Sequence, residues 1–422
     1  MKYKKKILEN GLKVITIHMQ DNPTVTVLVM VEAGSEYEAK EKNGISHFLE
    51  HMCFKGTEKR PTALDLSREL DSIGAQYNAF TGEQYTGYYA KSAPKHVHKI
   101  FDVVSDLYLN PNFDQKEIEK EKGVIVEEIN MYKDMPHRHV QELFTELMYG
   151  DQPAGWGIAG TRETVMGMKR DDFVAYRNQF YVPEATTVIV AGNFDEKKVY
   201  QDIMKTFGHL PKTKKGKKPK VVEAQTAPAI KLEDRKTDQA HLVLGVRGFP
   251  IAHASTPVFR MLTAVLGAGM SSRLFQKLRE EMGVGYYVRA SLDSYTDHGC
   301  FSVSVGSDVK RVEEVISAVM IELNRLKTEL VSDAELQKTK DYLIGSLYLG
   351  LESSDSLAEF YGYQEVLRHE LRSPADVIKE YKSITAQDIQ KLARKVFVDK
   401  SLNLAIVGPT LDEEKLKKVL TF

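Results

Sequence analysis

The sequence predicts an α+β protein of two homologous domains, each a mixed or antiparallel sheet packed against helices. Three observations lead there. The chain has 422 residues, and at about 150 residues per domain it has room for two or three domains. Strand-like stretches are mixed with runs of helices rather than alternating as regular βαβ units, which argues against a doubly wound parallel sheet. The second half also repeats the first faintly. At an offset of 209, Ser72-Ile73-Gly74 falls on Glu281-Met282-Gly283 and Tyr77 on Tyr286; at an offset of 212, His96–Val104 falls on Asp308–Ile316.

Taken in order, β-branched residues crowd at about 12–19 and 24–34 and predict two strands. The run Val25–Val31 ends at Glu32, far short of the roughly 20 residues that a membrane helix needs, so it reads as a buried strand. A helix follows Asn43-Gly44 and carries His47 and His51. Pro61 opens another, Leu64–Ile73, which Gly74 closes. Gln76–Gly82 and Gln84–Lys91 read as adjoining strands. Two long helices, Pro94–Leu109 and Asp114–Met135, are separated by Asn110-Pro111, with Asp114 as N-cap. A strand at Ala185–Ala191 and a helix after Asp195 complete a unit near residue 210. The segment PKTKKGKKPK (Pro211–Lys220), with six lysines, two prolines and a glycine, reads as a solvated connector. The expected division is therefore a first domain, 1–210, a linker, 211–229, and a second domain, 230–422.

Hydrophobic residues make up 42% and charged residues 28% of the chain, the balance of a soluble globular protein. With 58 Lys+Arg against 59 Asp+Glu the net charge is −1, so no whole-protein field favours nucleic acid phosphates or anionic lipid. Neither nucleic acid nor membrane is expected as a partner. Cys53 and Cys300 make no disulfide framework, and the basic start MKYKKKILENGLKVI breaks at Glu9-Asn10-Gly11 before a signal-peptide core could form. A reducing, cytoplasmic setting is expected.

The chemistry centres on His47-Phe48-Leu49-Glu50-His51. Its two imidazoles, at i and i+4, share one helix face a turn apart, which is metal-site geometry. A catalytic zinc takes three protein ligands and keeps a fourth position open, so a third ligand must come from elsewhere. Glu50, at i+3 from His47, is placed to reach water on the metal and act as general base. The plainer alternative for the pentad alone is a helix with two incidental histidines.

The pentad has the H-x-x-E-H spacing of inverzincins. Preceded by Asn43-Gly44-Ile45-Ser46 and continued as HFLEHMCFKGT (His47–Thr57), it closely resembles the pitrilysin/insulinase family of zinc metallopeptidases, the bacterial and mitochondrial processing peptidases most of all. The likeness runs from LENGLKV (Leu8–Val14) through both domains. It implies a zinc-dependent endopeptidase acting on short or unfolded peptides, with one Zn2+ per chain. In that family the third ligand is a glutamate in a segment like E-x-x-V-I-x-x-E, here EKGVIVEE (Glu121–Glu128), whose last residue lies 77 past His51. Glu121 and Glu128, seven residues apart, share a helix face, while Glu127 points about 100° away. The resemblance thus makes Glu128 the ligand and Glu121 a partner that hydrogen-bonds a ligand histidine and fixes its tautomer.

The same resemblance makes NAFTGE (Asn78–Glu83) a substrate-binding edge strand, lined by Asn78, Ala79 and Phe80, on which a peptide adds as an extra strand. It assigns Arg279 and Tyr286 to holding substrate carbonyls. At the repeat positions the second half has no ligands: the pentad falls on Thr256-Pro257-Val258-Phe259-Arg260 and Glu128 on Ser346. The first half in turn has Leu70 where the second has Arg279. In the family four such domains close into a chamber, so a two-domain chain implies a homodimer, or a heterodimer with a homologue, whose sites combine the zinc domain of one chain with Arg279 and Tyr286 of the other. The rival expectation is a noncatalytic structural subunit, although relatives with that role usually lose the pentad.

Other residues carry plainer expectations. His96 with His98 and His137 with His139 are spaced i, i+2, diverge by about 200° on a helix, and read as surface histidines. Cys53 points off the ligand face and reads as a buried or semi-buried thiol. Gly267-Ala268-Gly269 is too short to cradle phosphates, and shorter than the glycine-rich loop of the noncatalytic mitochondrial processing subunit.

Overall fold

The computed structural model describes residues 3–409 and 412–422; Met1 and Lys2 of the basic start lie outside them. The first half runs β1 (Tyr3–Ile7), β2 (Lys13–His18), β3 (Val25–Val31), α1 (Ile45–Cys53), α2 (Ala63–Asp71), β4 (Gln76–Thr81), β5 (Thr86–Ser92), α3 (Val97–Leu109), α4 (Gln115–Asp134), α5 (Pro136–Tyr149), α6 (Arg162–Gly167), α7 (Arg170–Phe180), β6 (Thr186–Gly192) and α8 (Glu196–Phe207). The second runs β7 (Ala229–Asp234), β8 (Ala240–Arg247), α9 (Thr256–Gly267), α10 (Arg273–Phe275), β9 (Gly285–Ser294), β10 (Gly299–Ser307), α11 (Val312–Thr328), α12 (Asp333–Leu349), α13 (Ser354–Arg368), α14 (Pro374–Ser383), α15 (Ala386–Val396), β11 (Leu402–Gly408) and α16 (Glu413–Val419).

Two mixed sheets result, in the orders β1-β2-β6-β3-β5-β4 and β7-β11-β8-β10-β9. In each, one pair is parallel, β2 with β6 inside the first sheet and β7 with β11 at the edge of the second, and the remaining pairs are antiparallel. The second sheet is the first without β1, so the α+β expectation and the internal repeat both hold. Gly74 and Gly283, 209 apart, have φ of +63° and +62° and precede the equivalent edge strands β4 and β9. Further on the register differs from the expected one. Val97 and Val312, which open α3 and α11, are 215 apart rather than 212. A slip of three residues keeps a helix's apolar face in place, so pattern alone does not fix the register.

Compact units do not follow the contiguous halves 1–210 and 230–422. One comprises Met1–Ile129, Gly157–Pro219 and Tyr348–Pro374; the other Asn130–Trp156, Lys220–Leu347 and Ala375–Phe422. Each half of the chain therefore gives one helix away.

In the first unit, β3 buries alternate residues on opposite faces. Val25, Val27, Val29 and Val31 join Phe48, Ile100 and Val103 in one core. The other face meets α13, where a Cβ on Gly362 would lie 2.5 Å from Met30 Sδ and 3.6 Å from Ile189 Cδ1, and where the Thr26 and Ser354 hydroxyls are 2.8 Å apart. In the second unit, Leu242, Leu244 and Leu404 pack with Phe259 and Val315. Val243, Ala405 and Val407 pack instead with Val140 and Phe144 of α5.

The lysine-rich segment has no regular secondary structure, as a connector should, but it is not freely solvated. Lys215 pairs with Glu32, and Lys218 Nζ lies 2.9 Å from Glu36 Oε2, with both carboxylates buried. The other four lysines, Lys212, Lys214, Lys217 and Lys220, remain exposed. Strand β1 was not foreseen. It is the lysine-rich edge of its sheet, where charged side chains discourage pairing with another chain.

Candidate metal centre

Helix α1 starts where Gly44 turns the chain. Its φ of +95° lies in the left-handed region, and a Cβ would sit 2.5 Å from the Ala159 carbonyl oxygen. Glycine has no side chain to cap the helix, and Glu38 serves in its place. The Glu38 carboxylate accepts the Gly44 N–H at 2.7 Å, the Ser46 N–H at 2.8 Å and the Asn43 side-chain amide at 2.9 Å. Burial pushes Glu38 up to about 7 against the pull of these donors. Phe48, Leu49, Met52 and Cys53 are buried, with the Phe48 ring 4.8 Å from that of Phe173. His47, Glu50 and His51 are left on the half-buried face.

Helix α4 brings the third group. Glu128 Oε2 lies 3.6 Å from His47 Nε2 and 3.7 Å from His51 Nε2. Bonds of about 2.0–2.2 Å in a tetrahedral zinc site put ligand atoms roughly 3.4 Å apart, so these three atoms fit around one ion. Glu127 is exposed. His51 Nδ1 lies 2.9 Å from Glu121 Oε1, while His47 Nδ1 is buried with no hydrogen-bond partner among the described residues. Burial, with the neighbouring His51 ring, pushes His47 down to about 4, partly opposed by Glu128. The imidazole is therefore neutral near pH 7, the form that ligates metal. Burial would raise the Glu121 carboxyl, but the His51 and Lys55 partners outweigh it and hold it below the usual carboxylate range.

Glu50 stands apart from the three donors. Its Oε2 accepts the Thr81 hydroxyl at 2.5 Å; burial raises its carboxyl, and this hydrogen bond offsets part of the rise. Thr81 belongs to β4, the edge strand. By strand alternation Ala79 shares the Thr81 face toward α1, while Asn78 and Phe80 take the other. The Phe80 ring lies 6.1 Å from that of Tyr85 and 6.0 Å from that of Tyr363.

In the second unit Arg279 lies in a single π-helical turn, Gln276–Glu281, with its guanidinium 5.3 Å from the Phe275 ring centroid. Tyr286, on edge strand β9, is 63% exposed. Gly267 is a packing glycine, since a Cβ there would lie 2.5 Å from Ala290 Cβ. Cys53 is buried, and burial pushes its thiol up to about 12, as expected of an inert residue. His98 is exposed and pairs with Asp202. His139 departs from its expected surface place: it is largely buried and lies 2.7 Å from Glu233, tying α5 to β7. Lys55, Thr81 and Glu38 were not foreseen. Lys55 alone carried a signal, standing one helical turn past His51.

Fold and donor set together define a class: a duplicated α+β frame in which an H-x-x-E-H helix is completed by a carboxylate from a later helix. Comparison with known proteins agrees. A family model described as insulinase, peptidase family M16, matches residues 13–162, and one described as the peptidase M16 inactive domain matches residues 167–343. A Bacillus subtilis protein named as an uncharacterised zinc protease is 34% identical over 95% of this chain and 97% of its own length. A Streptomyces coelicolor protein with the same kind of name is 32% identical over 96% and 90%. The crystal structure of a protease from Helicobacter pylori matches with a TM-score of 0.89 at 22% identity, covering 97% of this chain and 99% of that one. The chain belongs to the insulinase family of peptidases, M16. Among its described residues no helix is long and apolar enough to cross a membrane.

Proposed function

We propose that the protein is a zinc-dependent endopeptidase for short or unfolded peptides. The observation that carries this reading is the convergence of His47 Nε2, His51 Nε2 and Glu128 Oε2, 3.6 and 3.7 Å apart, beside a glutamate that is not one of the donors. His47, His51 and Glu128 would hold one zinc per chain. Bound there, zinc supplies Lewis acidity, polarising the scissile carbonyl and making water a nucleophile near neutral pH. Glu50 takes the proton from the attacking water and passes it to the leaving amine. With Oε2 held by Thr81, Oε1 is the oxygen that receives it. Strand β4 offers its open edge to an extended peptide, whose main chain pairs with it irrespective of sequence. Arg279 and Tyr286 hold peptide carbonyls. We also propose a homodimer enclosing a chamber, each of its two sites combining the zinc ligands of one chain with Arg279 and Tyr286 of the other.

The test is zinc content and cleavage of a mixed peptide pool, with and without chelator, for the wild type and Glu50→Gln. The variant should keep its zinc and fold and lose turnover by about 10²- to 10⁴-fold, the usual worth of a general base. A zinc-replete variant that cleaves at the wild-type rate removes Glu50 from the mechanism, and a chelator-insensitive wild type removes the zinc.

A further inference from the structure

The two ligand histidines are supported unequally. His47 Nδ1 has no partner among the described residues, whereas His51 Nδ1 faces Glu121 Oε1 at 2.9 Å. The second oxygen of that carboxylate lies 2.5 Å from Lys55 Nζ. Glu121 is buried, while Lys55 and His51 reach partway to solvent. A row of three side chains thus runs from Lys55 through Glu121 to His51.

Lys55 is itself held in place. It lies in the turn that ends α1, its N–H donates to the Met52 carbonyl at 3.1 Å, and Gly56 next to it has a φ of +128°. A Cβ on Gly56 would meet the Pro61 carbonyl oxygen at 2.3 Å, so the turn closes tightly. The ammonium is presented to Glu121 from a fixed point. A glutamate held at one oxygen can still swing about its terminal torsions; with a hydrogen bond at Oε1 and an ion pair at Oε2, that swing is restrained.

We propose that Lys55 is a positioning residue for the metal centre: its ammonium pins Glu121 so that Oε1 stays on His51 Nδ1, which keeps His51 Nε2 turned toward Glu128. The proposal rests on the metal reading given above. It makes a prediction whose sign differs from that of simple charge. A cation near a bound dication repels it, so a lysine acting by charge alone would weaken zinc binding, and its removal would tighten it. A lysine acting through Glu121 does the reverse.

Metal-free Lys55→Met is titrated with zinc against a chromophoric chelator. Partners that orient a metal ligand are worth about 10- to 100-fold in affinity. Since Lys55 acts one step further out, a loss of about tenfold is expected. Lys55→Arg should recover most of the affinity. In a Glu121→Gln background, Lys55→Met should add no further loss. Unchanged or tighter zinc binding by Lys55→Met overturns the proposal, as does an equal loss with and without Glu121. Should the methionine variant fail to fold, Lys55→Gln carries the same comparison. Wild-type and His51→Ala protein in the same titration report on the metal reading separately: zinc retained at full affinity by His51→Ala overturns that reading and the proposal with it.

Discussion

Substituting alanine for Gly44 tests how the motif helix is started. Two costs add. An L-residue at φ +95° is in strained backbone, worth about 1–3 kcal/mol. The new methyl would also lie 2.5 Å from the Ala159 carbonyl oxygen and 2.9 Å from its carbon. These are backbone atoms that cannot rotate away, and forced overpacking costs about 1–3 kcal/mol. Against this, alanine lowers the entropy of the unfolded chain and returns about 0.4–1 kcal/mol. These ranges sum to a net loss of about 1–6 kcal/mol, and its middle, about 2–4 kcal/mol, is the expectation. Because the chain has two compact units, a global melt is the wrong measure. Hydrogen exchange at the Phe48–Cys53 amides of the metal-free protein reads α1 directly, and at 1.36 kcal/mol per decade it should accelerate roughly 30- to 900-fold. Gly44→Asn separates the two costs, because asparagine tolerates positive φ yet carries the same Cβ; if contact dominates, it fares no better than alanine. Exchange within threefold of wild type for Gly44→Ala would refute the reasoning.

Glu128→Gln should weaken zinc binding, since an amide oxygen replaces an anionic ligand, while Glu127→Gln leaves stoichiometry intact; metal lost by the Glu127 variant alone would mean the wrong carboxylate was chosen. Burial raises Glu38 to about 7, so its folded form keeps a proton that the unfolded chain has released. Its contribution is full below about pH 4.5 and is lost as pH rises through about 7, by as much as about 3 kcal/mol. The stability advantage of wild type over Glu38→Gln, read by hydrogen exchange at the α1 amides, should therefore shrink across that range, and a constant gap contradicts it. Mixing Glu50→Gln chains with Arg279→Ala/Tyr286→Ala chains, each inactive alone, should restore some peptidase activity through mixed dimers; no recovery in a mixture shown to exchange subunits means that the site is completed within one chain or that the pair is only structural.

What the sequence disclosed follows from how local each signal is. The i, i+4 histidines and the seven-residue spacing of Glu121 and Glu128 are properties of single helices, legible without the fold, and the fold brings the four side chains together. Glu38 and Thr81 are ordinary polar residues in sequence. They gain roles because the turn before α1 folds back to present its first N–H groups to Glu38, and the β4 edge strand carries Thr81 to the Glu50 carboxylate. Strand β1 was hidden by its lysines, which suit an edge but carry no alternating apolar pattern. Helices α5 and α13 were not singled out in the sequence, and nothing in a run of apolar residues says which sheet it will cover.

That exchange of helices bears on how the protein is made. Synthesis runs from the N-terminus at about 5–20 residues per second. The last strand of the first sheet ends at Gly192, but α13, which covers that sheet's second face, ends at Arg368. For the roughly 10–35 seconds needed to make the intervening chain, Leu28, Met30 and Ile189, at most 1% exposed in the finished protein, have no helix over them. Meanwhile α5 is complete and waits for a second sheet that does not yet exist. A chain released near residue 210 is thus a half-clad sheet with a stray helix, and it should aggregate where one that extends past β11, the inner strand ending at Gly408, stays in solution. The nascent protein needs shelter for longest at its middle, whatever its finished stability.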